Sequence, residues 1–389
     1  MTVPFPQGFR SAGLAVGLKS TGKPDLALVV NEGPHRAAAV VFTSNRSQAN
    51  PILWSRRAAA EGPARAIILN SGGANCFTGD FGYETSRLTA EAVARELSDA
   101  QDPVGAEQVL VCSPGLSGTG DQVFRDKIVD NVPALVAALS EADTVAPAAI
   151  LTTDSVVKTA THQGEGWSIG AMAKGAGMLA PGLATMLVVI TTDARIDDGL
   201  ADRALRRATS VSFDRLDSDG CMSTNDQVTL LVSGASEVTP EEAEFTAALA
   251  AVCDDLAAQL QALAEGASHD IDPEVRGAAR VDDAVEVGRS VARNNLFKAA
   301  IFGNDPNWGR VLAAIGTTRA AFDPYAADVS FNGVRLCHAG APDRPVGECD
   351  LTLRQTHVLI ELHAGSFAAT VRTNDLTHEY VHENSASSS

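Results

Sequence analysis

Aromatic residues and positive charge are both in short supply. Aromatics make up 5% of the 389 residues, with three Trp and three Tyr. That is too few for the stacking platforms on which single-stranded nucleic acid is held. Lys and Arg number 30 against 48 Asp and Glu, a formal net charge of −18. No surplus of cations is left to neutralise phosphates, so no nucleic-acid partner is expected. No run reaches the roughly 18 apolar residues of a membrane span. The start, "MTVPFPQGFRSAGLAVG", lacks a basic segment followed by an apolar one, so neither membrane insertion nor a secretory signal is expected. Cysteine is sparse as well. Cys76, Cys112, Cys221, Cys253, Cys337 and Cys349 form no CxxC pair, which reads as free thiols in a reducing cytoplasm.

What the chain does have is a 45% hydrophobic content, 33 glycines and a length sufficient for two domains. Apolar runs at 25–31, 37–44, 65–70, 108–113, 185–193 and 227–234 read as strands. Amphipathic stretches at 83–100, 126–143, 240–266 and 281–303 read as helices, with Pro133 kinking the second or starting a new one. The C-terminal portion reads as strand-rich, with "FNG" supplying an Asn-Gly hairpin turn. Strands in groups and helices in separate blocks predict an α+β fold, with layered helices packed on mixed β-sheets.

Several stretches could carry chemistry. "ILNSGGANCFTG" (68–79) is a strand, a Gly-rich loop and a helix. Its spacing fits neither phosphate-loop pattern, which favours a structural or carboxylate-holding loop. "HEYVH" (378–382) is a literal HExxH, but its flanks read as strand and tail. In a strand the two histidines would stand about 13 Å apart, too far for one zinc, so no metal site is expected. "SFDRLDSDGCMSTND" (212–226) lacks the pattern of a calcium loop and reads as a polar loop near a site. In "FGNDPNWGRVLAAIG" (302–316), Arg310 at a helix start is either a carboxylate binder or part of a structural corner.

The stretch "GAGMLAPGLATMLVVITTDA" (175–194) runs from small residues straight into an apolar strand, with Thr185 at the junction. Threonine is common at strand starts. The functional reading is self-cleavage: the Thr185 hydroxyl attacks the carbonyl of Ala184 in an N→O acyl shift, and water resolves the ester. The threonine left at the new N-terminus would then use its own α-amine as general base.

The segment "MAKGAGMLAPGLATMLVVITTDA" resembles the self-processing region of the ornithine acetyltransferase (glutamate N-acetyltransferase) family of arginine biosynthesis. The resemblance covers essentially the whole chain, through "NSGGAN" (70–75), "LTTDSVVK" (151–158), "FDRLD" (213–217), "STND" (223–226), "LQALAEG" (260–266), "DPNWGRVLAAIG" (305–316) and the terminal "ENSASSS". It implies the layered fold shared by ornithine acetyltransferases and DmpA-type self-processing enzymes. It also implies an α chain of residues 1–184 and a β chain of 185–389, assembled as an α2β2 heterotetramer. Thr185 would pass an acetyl group from N2-acetylornithine to glutamate, with no metal or bound cofactor. The sequence leaves open whether acetyl-CoA is a second donor. Matching substrate-binding positions are Thr152, Lys174, Thr185, Glu265, Asn384 and Ser389. Lys174 would meet a carboxylate, and Glu265 an ammonium or the catalytic amine.

The sequence departs from the family at "SPG" (113–115), where Pro114 stands at the threonine of the oxyanion hole and only the amide of Gly115 remains. Losing one such donor costs about 10²–10³ in rate, unless Ser113, Ser117 or water replaces it. "EGASHD" after Glu265 and "NSASSS" at the end also depart from the usual pattern. The competing readings are a self-cleaving amidase or aminopeptidase, a weakly active amino-acid-binding paralogue, and a zinc peptidase.

Overall fold

The computed structural model describes residues 2–180 and 186–386. Among these, three sheets organise the chain. The first runs in the order Phe9–Leu14, Leu26–Asn31, Ala66–Asn70, Val109–Cys112, antiparallel except for its last pair. The second runs Ala37–Phe42, Gln227–Val232, Leu187–Thr192, Ser168–Lys174, Lys158–Gln163, with one parallel pair between the second and third strands. The third is built around Asp270–Ala278 and Gln355–Glu361, again one parallel pair in an otherwise antiparallel sheet.

Alternation along the strands shows how the first two sheets stack. Ala27, Val29, Ile67 and Leu69 point one way and pack on Met172, Leu187, Val189 and Leu231 of the second sheet. The alternate residues Leu28, Val30 and Ile68 face a layer that includes Val93 of helix Gly79–Leu97 and Ile128 of helix Gln122–Val129. On the far side, Val188, Ile190, Val228 and Leu230 pack against helices Asp198–Val211 and Glu242–Ala262. The result is four layers: helices, sheet, sheet, helices. Strands buried on both faces have no polar side, which is why they read as continuous apolar runs. The observed architecture is the α+β arrangement of helices on mixed sheets that the pattern predicts.

Local signals set the helix ends. Asp197 accepts the amide of Leu200 at 2.7 Å and caps the helix that follows. That helix buries Ala201, Ala204 and Ala208, small side chains that let helix Glu242–Ala262 pack alongside it. The latter carries Glu242 and Glu244 in its first turn and buries Phe245, Leu249, Val252, Leu256 and Leu260. At these spacings they form one face, and each contributes about 1.5–3 kcal/mol on burial. Pro133 sits in the first turn of a new short helix, Val132–Ala137. Asn332 and Gly333 both have positive φ, 46° and 83°, as an Asn-Gly hairpin turn requires.

Three expectations are corrected. The stretch 281–303 is two helices, Val281–Ala292 and Asn295–Phe302, because Asn294 accepts the amide of Phe297 at 2.9 Å and restarts the chain. "HEYVH" is not strand and tail: it opens the helix His378–Ala386. The Thr377 hydroxyl accepts the amide of Tyr380 at 2.9 Å there and donates to Gly266 O at 2.6 Å. The His378 ring meets the Phe302 ring edge-on at 5.5 Å. Finally, the strand expected over 185–193 begins at Leu187.

Candidate active site

Strand register brings several loops to one end of the stacked sheets. Lys174 pairs with Leu187, Leu187 with Gln227, and Gln227 with Phe42. In the first sheet Leu26 pairs with Asn70, and Leu69 with Cys112. The loops after Asn70, Cys112 and Lys174 therefore lie at the same end as Met186 and the segment that precedes Gln227. Asn225 ties the two sheets together here. Its side-chain amide, buried, donates to Ala74 O at 2.7 Å and to Ser113 O at 2.5 Å. Both donors of one amide are thus spent on the Gly-rich loop and on the start of "SPG". Pro114 is buried, while Gly115 is exposed with φ 124°. A Cβ on Gly115 would stand 2.9 Å from the nitrogen of Gly73, so the two loops touch where only glycine fits.

Ala184 and Thr185 lie outside the described residues, as does Ser389, but the chain on both sides of the junction is held. The amide of Gly175 donates to Asp154 Oδ1 at 2.7 Å. The amide of Glu265 donates to Ala176 O at 3.0 Å, and that of Ser218 to Leu179 O at 2.5 Å. Met178, with φ 54°, donates its amide to Asp219 Oδ2 at 2.7 Å. Downstream, the amide of Met186 donates to Asp226 Oδ1 at 3.0 Å. Asn225 and Asp226 are consecutive, so one short segment fixes both the "SPG" loop and the residue after Thr185.

The electrostatics centre on Asp154. Lys158 Nζ, fully buried, donates to Asp154 Oδ1 at 2.5 Å. Burial would raise this carboxyl, but the charges of Lys174 and Lys158 and the amide of Gly175 bring it down to about 2. Burial pulls the Lys174 ammonium down, opposed by Asp154 and Asp226. Asp226, fully buried, has its carboxyl pushed well above the ordinary range by burial. Burial raises Asp219 too.

Around this cluster the structure gathers three of the residues expected from sequence. Thr152 donates through its amide (3.2 Å) and hydroxyl (3.4 Å) to Asp154 Oδ2. Lys174 acts on Asp154 through its charge. Glu265 Oε1 accepts the Thr153 hydroxyl at 2.7 Å. Glu265 also lines a cavity of about 60 Å³ with Asp219, Lys298, Asp375 and Tyr380, where burial pushes the Tyr380 phenol up to about 12. Asn384 is exposed on the last helix and donates to Tyr380 O at 3.0 Å. Arg310 is not among these groups: it donates to Leu296 O and joins two helices. A cavity of about 760 Å³ between the N-terminal segment and Glu141–Thr144 includes Ala235, past the other end of strand Gln227–Val232, and so lies at the opposite end of the sheets.

The loops and charges quoted above fall in stretches that the sequence shares with a known family. Residues 10–389 match the ArgJ family. The chain belongs to the ArgJ family. It is 56% identical over 390 residues to the arginine biosynthesis bifunctional protein ArgJ of Streptomyces avermitilis, covering 100% of each chain. It is 51% identical over 391 residues to the protein of that name from Mycobacterium leprae, covering 100% of this chain and 96% of the other. A crystal structure of ornithine acetyltransferase complexed with ornithine from Mycobacterium tuberculosis is 46% identical over 48% of this chain and 96% of that one, with a TM-score of 0.44. The family resemblance read from sequence is thus confirmed, and ArgJ membership makes this chain an acyltransferase of arginine biosynthesis.

Asp154, Lys158, Asn225 and Asp226 were not singled out from sequence, although "LTTDSVVK" and "STND" contain them. Their signal is indirect: charged or amide side chains beside buried strands need partners, and the partners lie far along the chain. The loop 212–226 reaches the candidate site through Asp219, Asn225 and Asp226. Among the described residues no three His, Cys, Asp or Glu side chains converge to hold a metal ion.

Proposed function

We propose that this ArgJ chain cuts itself between Ala184 and Thr185, and that Thr185 then carries an acetyl group from N2-acetylornithine to glutamate. The observation that carries the reading is the pair of neighbouring ties at Asn225 and Asp226, one to Ser113 O and one to the amide of Met186. They hold the candidate oxyanion loop and the residue after Thr185 to the same segment.

In cleavage, the Thr185 hydroxyl attacks the Ala184 carbonyl, the C–N bond breaks, and water hydrolyses the resulting ester. In transfer, the free α-amine takes the hydroxyl proton while Oγ attacks the acetyl carbonyl. The amide of Gly115 faces the developing oxyanion. Lys174 meets the substrate carboxylate, Glu265 its ammonium, and Asn384 and Ser389 close the pocket from the C-terminal end. No metal or bound cofactor takes part. The fragments 1–184 and 185–389 stay joined, because strands from both share the second sheet. They assemble as α2β2 in the cytoplasm.

The test is an exchange assay with acetyl-labelled N2-acetylornithine and glutamate. Labelled N-acetylglutamate is expected. Labelled acetate without N-acetylglutamate would indicate an amidase, and binding without turnover would indicate a paralogue disabled at Pro114. An arm with acetyl-CoA in place of acetylornithine reads the second donor.

A further inference from the structure

In a two-step exchange, donor and acceptor use the same pocket in turn. N2-acetylornithine and glutamate have side chains of equal reach that end in opposite charges, an ammonium and a carboxylate. A wall carrying one sign of charge would draw in the first and repel the second. The cavity of about 60 Å³ beside Glu265 carries both signs. On a measure where one water needs about 10–15 Å³, it holds a group of a few atoms, the end of a side chain rather than a whole amino acid.

Most of the charges around this cavity are already spent. Asp219 takes the amide of Cys221 on Oδ1 at 3.1 Å and that of Met178 on Oδ2 at 2.7 Å. Asp375 takes the amides of Ser268 and His269 on Oδ1, each at 3.0 Å. Its Oδ2 accepts the Ser268 hydroxyl and meets His269 Nδ1 at 2.8 Å. Lys298 is different. It lies on helix Asn295–Phe302, is 6% exposed and lines the cavity. An ammonium has three protons to give. Among the described residues Nζ gives one, to Ser218 O, while Asp219, Asp217 and Asp375 reach it through charge alone. A buried cation so placed calls for a closer partner. Glu265 is not that partner. Its Oε1 accepts the Thr153 hydroxyl at 2.7 Å, and no hydrogen bond or ion pair joins it to Lys298. One small cavity is thus lined by a cation and a carboxylate that do not pair.

We propose that Lys298 receives the side-chain carboxylate of glutamate, in the cavity where Glu265 receives the side-chain ammonium of N2-acetylornithine. Lys298 is then a specificity-determining residue for the acyl acceptor. Lys174 remains the partner of the α-carboxylate that both substrates share. The bond to Ser218 O holds Nζ in place before glutamate arrives, so little freedom is lost on binding. This rests on the exchange reading given above.

The experiment compares wild type with Lys298→Met, which keeps most of the apolar stem and removes the charge. Exchange from acetyl-labelled N2-acetylornithine is measured with glutamate and with glutamine as acceptor. A wild type that yields no labelled N-acetylglutamate sinks the exchange reading itself, independently of Lys298. In the variant, KM for glutamate is expected to rise about 10- to 100-fold, the worth of a hydrogen bond to a charged group. KM for N2-acetylornithine should change less than about threefold. The preference for glutamate over glutamine in kcat/KM should fall about 10- to 100-fold as well, because a neutral amide has no need of the cation. A purely structural role for Lys298 would weaken both acceptors together, and an unchanged preference overturns the proposal. If the variant does not fold, wild type labelled with nitrogen-15 lysine decides. Of the buried lysines Lys158, Lys174 and Lys298, one ammonium signal should move with glutamate and stay in place with ornithine; the absence of such a signal overturns the proposal.

Discussion

Replacing Asp154 with Asn tests whether the buried charge cluster supports both the fold and the site. The Asp154 carboxyl titrates at about 2 rather than 3.8, with Lys158 and Lys174 as its charged partners. At about 1.36 kcal/mol per unit, its ionisation contributes about 2 kcal/mol at neutral pH. Because the folded-state value is depressed, this contribution is present above about pH 4 and is lost as the pH falls toward about 2. Asp154→Asn also leaves two buried ammoniums without their carboxylate, for which about 3–5 kcal/mol is the usual upper range. We therefore expect urea unfolding at pH 7 to show a loss of about 2–5 kcal/mol, out of a typical total of about 5–15. At pH 3 the gap should be narrower by about 1 kcal/mol. Activity should follow, because Lys174 is already pulled down by burial and falls further without Asp154. A neutral Lys174 pairs poorly with a carboxylate, so KM for N2-acetylornithine should rise. A loss below about 0.5 kcal/mol at pH 7, or a gap that is the same at pH 7 and pH 3, would mean that the Asp154 charge does not support the fold.

Three further outcomes are expected. Asn225→Leu strands the carbonyls of Ala74 and Ser113, so urea unfolding should show a loss of about 1–3 kcal/mol for each and exchange activity should drop; an unchanged midpoint would mean that the amide is not the tie between the sheets. Pro114→Thr restores a hydroxyl to the "SPG" loop and should raise kcat, by up to about 10²–10³; an unchanged kcat would mean that Pro114 is not limiting. Gly266 has φ 61°, and a Cβ there would collide with the amide of Tyr380, so Gly266→Ala should displace the last helix and raise KM while the melting temperature changes by only a few degrees.

Much of the layered fold was legible because its central strands are buried on both faces. Runs such as Leu26–Asn31 and Leu187–Thr192 carry no polar alternation to mislead the reading. Strands that depart from this were missed. Lys158–Gln163, at the edge of its sheet, mixes buried and exposed polar residues. Asp270–Ala278 carries Pro273 in mid-strand, which argues against a central strand. Pro273 keeps its half of the pairing: its carbonyl accepts the amide of Val371 at 3.0 Å, and only the return donor is lost. The last helix was missed because its cap is a single threonine, Thr377, after a β-branched run. At the site, Lys174, Thr152 and Glu265 came from family resemblance, and nothing in their local sequence marks them. Asp154, Asn225 and Asp226 emerge only in three dimensions, because each acts across a long loop closure: Asp154 on Gly175, Asn225 on Ser113, Asp226 on Met186.

Self-cleavage at Thr185 is decided by the N-terminal sequences of the purified protein's fragments. Two chains are expected, of 184 residues and of 389 − 184 = 205 residues, the second beginning Thr-Met-Leu, with a single uncut chain in Thr185→Ala. A wild-type chain that remains whole while it exchanges acetyl between N2-acetylornithine and glutamate would contradict it.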